Sequence, residues 1–589
     1  MNKLRGSGRV RLSLWLAACL LLQGCGSSSA VGGQAGSSGG GTGASRPNIL
    51  VILVDDLGYA DLSSFGSEIN TPSIDQLAQE GRILTNFHAT PLCATSRAEL
   101  LTGADHHLVG VGTLPESSSF YPPNDETYKG ELDGKARTVA QLLHDAGYHT
   151  YMAGKWHLGG GGPVKWGFEQ SFSMDYTSAF GNNYAATAAR SESAARAYYE
   201  NGVQARIPDT FFSSDYYVDK LKSYIGAGHG DGKPFFAYLA FQAVHFPLQV
   251  PDAYIDLYKG KYDAGYQAIR DARIARQKAL GIVPPDLNPN PGDEALMLRF
   301  GQPGVLTNTA WDQLSASDQQ SEARIMEVFA GMLTNLDDNV GRLFAYLKQI
   351  GEYDNTLIVF VSDNGADGMG YGFIPYVDGA GNTDIDNSLA NYGRPGSFIF
   401  RSTRWAEAGN APLRLFKAFT AEGGISVPAI VRLPRQGSGQ QPSAALASLL
   451  DVVPTVLAAA GIPDPGAQYQ GHAVAPLEGL SLLPVLNGQR SQVYGQDDVI
   501  VDEVNDIRYV RKGPWKMTRV VNYLLPSAAL LINHDWQLYN MDTDRGETTD
   551  VAAQNPTLVA ELTADWVAYV NRVGVEQPIL PPLLTPIDQ

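Results

Sequence analysis

The sequence predicts an α/β fold, a mostly parallel sheet sandwiched by helices, with a smaller C-terminal α+β subdomain. Three observations predict it. Asn48–Val54 (NILVILV) is an unbroken run of β-branched and leucine residues, the pattern of a strand buried on both faces. Similar runs recur at 235–240, 356–361 and 427–431. Between these runs lie helical patterns: Val139, Leu142, Leu143 and Ala146 recur at helical steps before Gly147, a C-cap candidate, and Ile325, Val328, Phe329, Met332, Leu336, Val340 and Leu343 do the same. Buried strands alternating with amphipathic helices give a parallel sheet covered on both sides. After Leu480 the texture changes to shorter strand-like pieces at 499–501, 508–510 and 515–518, then a final amphipathic helix near 558–570. Segments 250–303 and 370–413 lack clear periodicity and read as long loops of the functional kind.

The ends divide the chain further. Lys3, Arg5, Arg9 and Arg11 precede an apolar run, 12–22, that is too short to span a bilayer and reads as a signal-peptide core. It ends in Leu22-Gln23-Gly24-Cys25, which resembles a bacterial lipobox with Cys25 as the lipidated residue. Residues 26–45 are Gly, Ser, Ala and Thr almost throughout, a flexible tether. The expected organisation is therefore signal peptide 1–24, lipidated cysteine and tether 25–45, main domain 46–480 and C-terminal subdomain 481–589.

Of the 3 cysteines, Cys19 lies in the signal and Cys25 at the anchor, so Cys93 is alone in the body. An exported domain with one cysteine makes no internal disulfide, and its thiol is either buried and inert or chemically special. The net charge of −18 argues against a nucleic-acid partner, which needs a basic surface.

Ligands of open α/β sheets bind beyond the carboxyl ends of the strands. Two runs end in oxygen-rich pairs: Asp55-Asp56 follows Val54, and Asp363-Asn364 follows Ser362. Singly, such residues serve more often as turn formers. Two pairs closing strands of one sheet supply the hard oxygen ligands that Ca²⁺ or Mg²⁺ prefers. Residues 96–101 have helical propensity, which sets Cys93 at a helix N-terminus, where anions are stabilised, with Arg97 one turn later on the same face. Gly154-Lys155-Trp156-His157 puts Lys155 and His157 on one face if extended. His245 follows the run ending at Val244, and Lys417 precedes Glu422-Gly423-Gly424.

Together these residues resemble the sulfatase family, and within it the bacterial arylsulfatases. Cys93-Ala94-Thr95-Ser96-Arg97 matches the family's modification motif in its cysteine, serine and arginine, and Gly154-Lys155-Trp156-His157-Leu158-Gly159 matches its second signature. Leu101-Thr102-Gly103 with Asp105-His106-His107, the segment 417–424, and Leu538-Tyr539-Asn540 with Asp544-Arg545-Gly546-Glu547 are similar too. The likeness runs from about residue 46 to about 570. Thr95 departs from the pattern, which has Pro or less often Ala there, and the departure bears on how efficiently Cys93 is modified.

The resemblance implies an alkaline-phosphatase-like fold and a formylglycine made from Cys93 by a separate maturase. One hydroxyl of the hydrated aldehyde attacks the sulfur of a small sulfate monoester, the alcohol or phenol departs, and the second hydroxyl loses its proton as sulfate is eliminated. Asp55, Asp56, Asp363 and Asn364, with the modified Cys93, would hold a divalent cation, Ca²⁺ in preference to Mg²⁺. Asp363 would also accept the attacking proton. Arg97, Lys155, Lys417 and His245 would bind the sulfate, His245 would protonate the leaving oxygen with help from Lys417, and His157 would assist elimination. Aryl sulfates are the expected substrates. Gly26 after Cys25, where Asp would favour inner-membrane retention, points to an outer-membrane lipoprotein of a Gram-negative bacterium. Two other functions remain open at this point: a phosphonate or phosphate ester hydrolase on the same fold, and a non-catalytic binder of sulfated ligands should Cys93 stay unconverted.

Overall fold

The computed structural model describes residues 46–174, 183–185, 198–292, 309–368, 385–520 and 536–576. The expected leader, lipidated Cys25 and tether lie outside the described residues, as do parts of the two long segments, at 293–303 and 370–384.

The strands run in chain order β1 (Asn48–Val54), β2 (Arg82–His88), β3 (His149–Lys155), β4 (Gln170–Met174), β5 (Tyr198–Glu200), β6 (Val203–Gln204), β7 (Phe235–Ala240), β8 (Thr356–Ser362), β9 (Ser426–Arg432) and β10 (Ala447–Ser448). They form one 10-stranded sheet in the order β10-β2-β9-β8-β1-β7-β3-β4-β5-β6. β1 pairs in parallel with β7 and β8, and β3 pairs in parallel with β7 and β4. β9, the expected strand at 427–431, runs antiparallel between β2 and β8.

Alternation along β1 shows why its sequence is apolar throughout. Leu50, Ile52 and Val54 enter one buried cluster and Ile49, Val51 and Leu53 another, one on each face of the sheet. The principal helices are α1 (Pro72–Glu80), α2 (Cys93–Thr102), α3 (Val139–Asp145), α4 (Ser213–Gly228), α5 (Gly265–Leu280), α6 (Ala316–Gln349), α7 (Thr403–Gly409), α8 (Val452–Ala460) and α9 (Pro556–Val573). α1, α4 and α6 cover the first face, and α2, α3 and α8 cover the second. α3 begins with a reciprocal capping box between Thr138 and Gln141, and its C-cap is Ala146, so Gly147 with φ +88° lies one residue further on than the C-cap position expected for it.

Two expectations need correction. Segment 250–303 is not a continuous loop, because α5 occupies 16 residues of it. Its buried positions, Tyr266, Ile269, Arg270, Arg273, Ile274 and Gln277, keep helical spacing, but half of them are polar, which hid the period. Likewise α7 falls within 370–413.

Beyond residue 480, β13 (Val499–Val504), β14 (Ile507–Lys512), β15 (Trp515–Arg519) and β16 (Gln537–Asn540) make a 4-stranded antiparallel sheet, after a small hairpin of β11 (Gln468–Tyr469) and β12 (His472–Ala473). Val510, Met517 and Leu538 of this sheet pack on Leu562, Trp566 and Tyr569 of α9. Buried ion pairs join it to the main sheet: Lys516 Nζ lies 2.8 Å from both Glu422 and Glu547.

Candidate active site

The centre of the sheet fixes the site. Val54 and Ser362 are register partners, so Asp55-Asp56 and Asp363-Asn364 leave neighbouring parallel strands at the same level. The two pairs interlock: Asp56 N–H donates to Asp363 Oδ1 at 3.2 Å, and Asn364 Nδ2 donates to Asp56 Oδ1 at 2.7 Å. Cys93 is the first residue of α2 and is buried, with Sγ 3.9 Å from Asp56 Oδ1. One turn later Arg97, fully buried, donates through Nε and Nη2 to Asp363 Oδ2 at 3.1 and 2.7 Å and through Nη1 to the Lys155 carbonyl at 2.9 Å.

Lys155 closes β3 and donates to Asp55 Oδ2 at 2.6 Å. Gly154 before it, at φ +124°, lets β3 approach β7: a Cβ there would sit 1.8 Å from the Ala240 carbonyl oxygen. Lys417 Nζ lies 2.7 and 2.9 Å from the two oxygens of Asp56. The loop carrying Lys417 is held against the Asp363-Asn364 loop, since Gly365 N–H donates to Gly424 O at 2.9 Å and a Cβ on Gly365 would lie 1.8 Å from Gly423 O. His245, after β7, turns Nε2 to within 3.6 Å of Asp56 Oδ2 while its Nδ1 is 2.6 Å from the Phe246 carbonyl.

His157 differs from the extended expectation. Its φ is +57°, so it leaves the line of β3 and does not alternate with Lys155 on a strand face. Its Nε2 meets the Glu116 carboxylate at 3.2 and 3.3 Å. Sequence reasoning missed Glu116, which sits on a single 3₁₀ turn (Pro115–Phe120) with no local motif. It also missed Arg401, whose Nη2 donates to the Asp56 carbonyl at 3.1 Å.

Charges in this crowded interior shape one another. Burial works against ionisation of Asp55, but Lys155, His245, Arg97 and Lys417 outweigh it and hold that carboxyl well below the usual range. Asp363 moves the other way, raised by burial and by the charge of Asp55. Burial pushes His245 down to about 4 and the Cys93 thiol well up. Lys417 is raised despite its burial, through Asp56, Cys93 and Asp367.

A cation fits this donor set. Ligand atoms of Asp55, Asp56, Cys93 and Asp363 all lie within 4.8 Å of one another. Asn364 Oδ1 is a buried oxygen with no hydrogen-bond partner among the described residues, and Asp55 Oδ1 makes no hydrogen bond there either, with Arg97 Nη2 standing 3.5 Å away. Such oxygens are costly unless something positive meets them. Hard oxygen donors of this kind suit Ca²⁺ or Mg²⁺. Thr95 fits its helical turn as well: it is buried, and its hydroxyl donates to the Leu92 carbonyl at 2.9 Å and meets the Thr90 hydroxyl.

The sulfatase family model matches residues 47–462. An uncharacterised sulfatase of Schizosaccharomyces pombe is 37% identical over 545 residues, covering 90% of this chain and 94% of its own. An arylsulfatase of Klebsiella aerogenes is 36% identical over 444 residues, covering 74% of this chain and 91% of its own. Among solved structures, Ps i-CgsB in complex with k-i-k-neocarrahexaose shares the alkaline-phosphatase-like fold with a TM-score of 0.60 at 23% identity, over 89% of this chain and 92% of that one. The chain belongs to the sulfatase family and is a hydrolase of sulfate esters.

Proposed function

We propose that this sulfatase cleaves aryl sulfates, with Cys93 converted to formylglycine by a separate maturase and Ca²⁺ as its cation. The observation that carries the reading is the meeting of Cys93 with the oxygen-rich pairs Asp55-Asp56 and Asp363-Asn364, whose buried Asn364 Oδ1 makes no hydrogen bond among the described residues. Formylglycine at Cys93 supplies a hydrated aldehyde, one hydroxyl of which attacks sulfur while the other later expels sulfate as the aldehyde re-forms. Asp55, Asp56, Asp363 and Asn364, with the modified Cys93, would hold a divalent cation, which would supply positive charge that favours ionisation of the attacking hydroxyl.

The chain's own groups do the rest. Arg97, Lys155 and Lys417 offset the negative charge that makes a sulfate monoester resist nucleophiles. Asp363 takes the proton of the attacking hydroxyl. His245 keeps its Nδ1 proton on the Phe246 carbonyl and presents Nε2 to the departing phenol oxygen; because burial holds the ring neutral, the proton it passes on is drawn from Lys417, which stays charged. His157, oriented by Glu116, accepts the proton of the second hydroxyl as sulfate leaves.

Aryl selectivity is supported by the Klebsiella arylsulfatase relative. It is also supported by the aromatic wall beside His245, where Phe246 lies 5.9 Å from Phe398 and 6.3 Å from Phe400, ring centre to ring centre. The test begins with the mass of the tryptic peptide spanning 83–97, where an aldehyde at Cys93 is expected. Protein so verified is then assayed on 4-nitrophenyl sulfate, N-acetylgalactosamine 6-sulfate and 4-nitrophenyl phosphate. The highest kcat/KM is expected on the aryl sulfate; preference for the sugar sulfate would overturn aryl specificity, and an intact thiol in fully active protein would overturn the nucleophile.

A further inference from the structure

We propose a second metal site, for a transition-metal dication of the zinc type, formed by Glu99, His106 and Asp502 where α2 and its following turn meet β13. Glu99 lies on the same helix as Cys93 but 6 residues on, His106 belongs to the 3₁₀ turn His106–Val109, and Asp502 lies on β13. All three are buried, and their ligand atoms lie within 4.8 Å of one another.

The hydrogen bonding of His106 points to a cation. Its Nδ1 is 2.9 Å from the Val111 carbonyl, an atom that can only accept, so Nδ1 carries the proton. In the neutral ring Nε2 then presents a lone pair, and it faces Asp502 Oδ1 at 3.0 Å. The contact is stable with a positive charge between or beside the two atoms, either a proton on Nε2 or a metal ion. Ligands of a tetrahedral zinc at its usual bond lengths lie about 3 to 3.5 Å apart, which this contact matches. A ring whose other nitrogen is pinned to a backbone carbonyl is also the usual arrangement of a metal-binding histidine.

An independent observation is the second oxygen of Asp502. Oδ2 is buried and has no hydrogen-bond partner among the described residues, although Asp502 is only 4% exposed. A proton on His106 Nε2 would satisfy Oδ1 but leave Oδ2 as it is. Acidic groups gather here: Asp502, Asp105 and Glu478 lie close to Glu99, and Glu503 pairs with His107. The cations that face the cluster are His107 and Arg572, the latter half-exposed. A dication offsets that acidic charge and leaves one coordination position beyond the three side chains. Imidazole with carboxylates suits zinc, which separates this site from the all-oxygen set at the strand ends.

The experiment measures metal in the full-length protein, purified after growth with zinc, by elemental analysis alongside thermal unfolding. One equivalent of zinc is expected in wild type, retained in Asp55→Asn and lost in His106→Gln and Asp502→Asn. Should those two variants not fold, Glu99→Gln keeps the proposal open to refutation, because an amide mimics a protonated acid but ligates poorly. Loss of zinc with a lowered Tm in Glu99→Gln supports the site. Unchanged metal content and Tm in that variant, or zinc lost only from Asp55→Asn, overturns it.

Discussion

At the scale of single residues, the site sets a nucleophile, its charge partners and its proton carriers within a few ångströms, so removing one atom has a readable effect. Cys93→Ala should lower kcat by roughly a thousandfold or more, the size typical of losing a nucleophile. Its urea midpoint should stay near wild type, because the side chain is small and its hydrogen bond to Asp56, at 3.9 Å, is weak. Full turnover in that variant would remove Cys93 from the mechanism. The Glu116–His157 pair gives a pH signature. His157 lies below its ordinary value through burial, with Glu116 pulling it back up. A base works when neutral, so Glu116→Gln, by removing the upward pull, should move the acid limb of kcat to lower pH. The shift is expected to be modest, since Glu116 is partly exposed and screened. An acid limb that stays put or rises would mean that His157 is not the titrating base.

At the scale of elements, what could be read from the sequence was what local patterning encodes. Ile49–Val54 is apolar because both faces of β1 are covered, and the abrupt change to Asp55-Asp56 marks its end without any knowledge of its neighbours. The Cys93 helix start was legible for the same reason. Glu116 was not, because its tie to His157 spans 41 residues and is made only when the 3₁₀ turn docks. His157 itself was visible, but its left-handed turn was not, since that backbone is imposed by the chain leaving the sheet. α5 was obscured by buried arginines whose partners, Glu68 and Asp61 for Arg273, lie 205 and 212 residues away. Gly154 belongs to this scale as well. Gly154→Ala would force a Cβ to 1.8 Å from the Ala240 carbonyl at a φ that side chains rarely adopt, so β3 and β7 must separate at the level of Lys155. A loss of about 3 kcal/mol or more in urea unfolding, together with a fall in kcat, is expected. Wild-type stability in that variant would show that the close approach is not needed.

At the scale of the whole molecule, the C-terminal sheet is fastened to the chain that carries Lys417. Lys516 sits between Glu422 and Glu547 at 2.8 Å from each, and all three are buried. Lys516→Met would leave two carboxylates facing each other without their cation. Breaking a buried pair in this way costs about 3–5 kcal/mol, so equilibrium unfolding should show a loss of that size. A change under about 1 kcal/mol would mean that His88 and Arg511 neutralise Glu422 unaided. None of this fastening was legible in the sequence, since Lys516 and Glu422 stand 94 residues apart and neither looks unusual in its own neighbourhood.

The glycine seam between Gly365 and Gly423 has an evolutionary corollary. Where two backbones touch with no room for a methyl group, the jaw that grips the anion cannot be widened by swapping side chains. Innovation in substrate range must then come from side chains elsewhere around the site, such as Phe246 beside His245 and its neighbour Phe398. A saturation library should accordingly yield altered selectivity from those positions and only inactive clones from the seam.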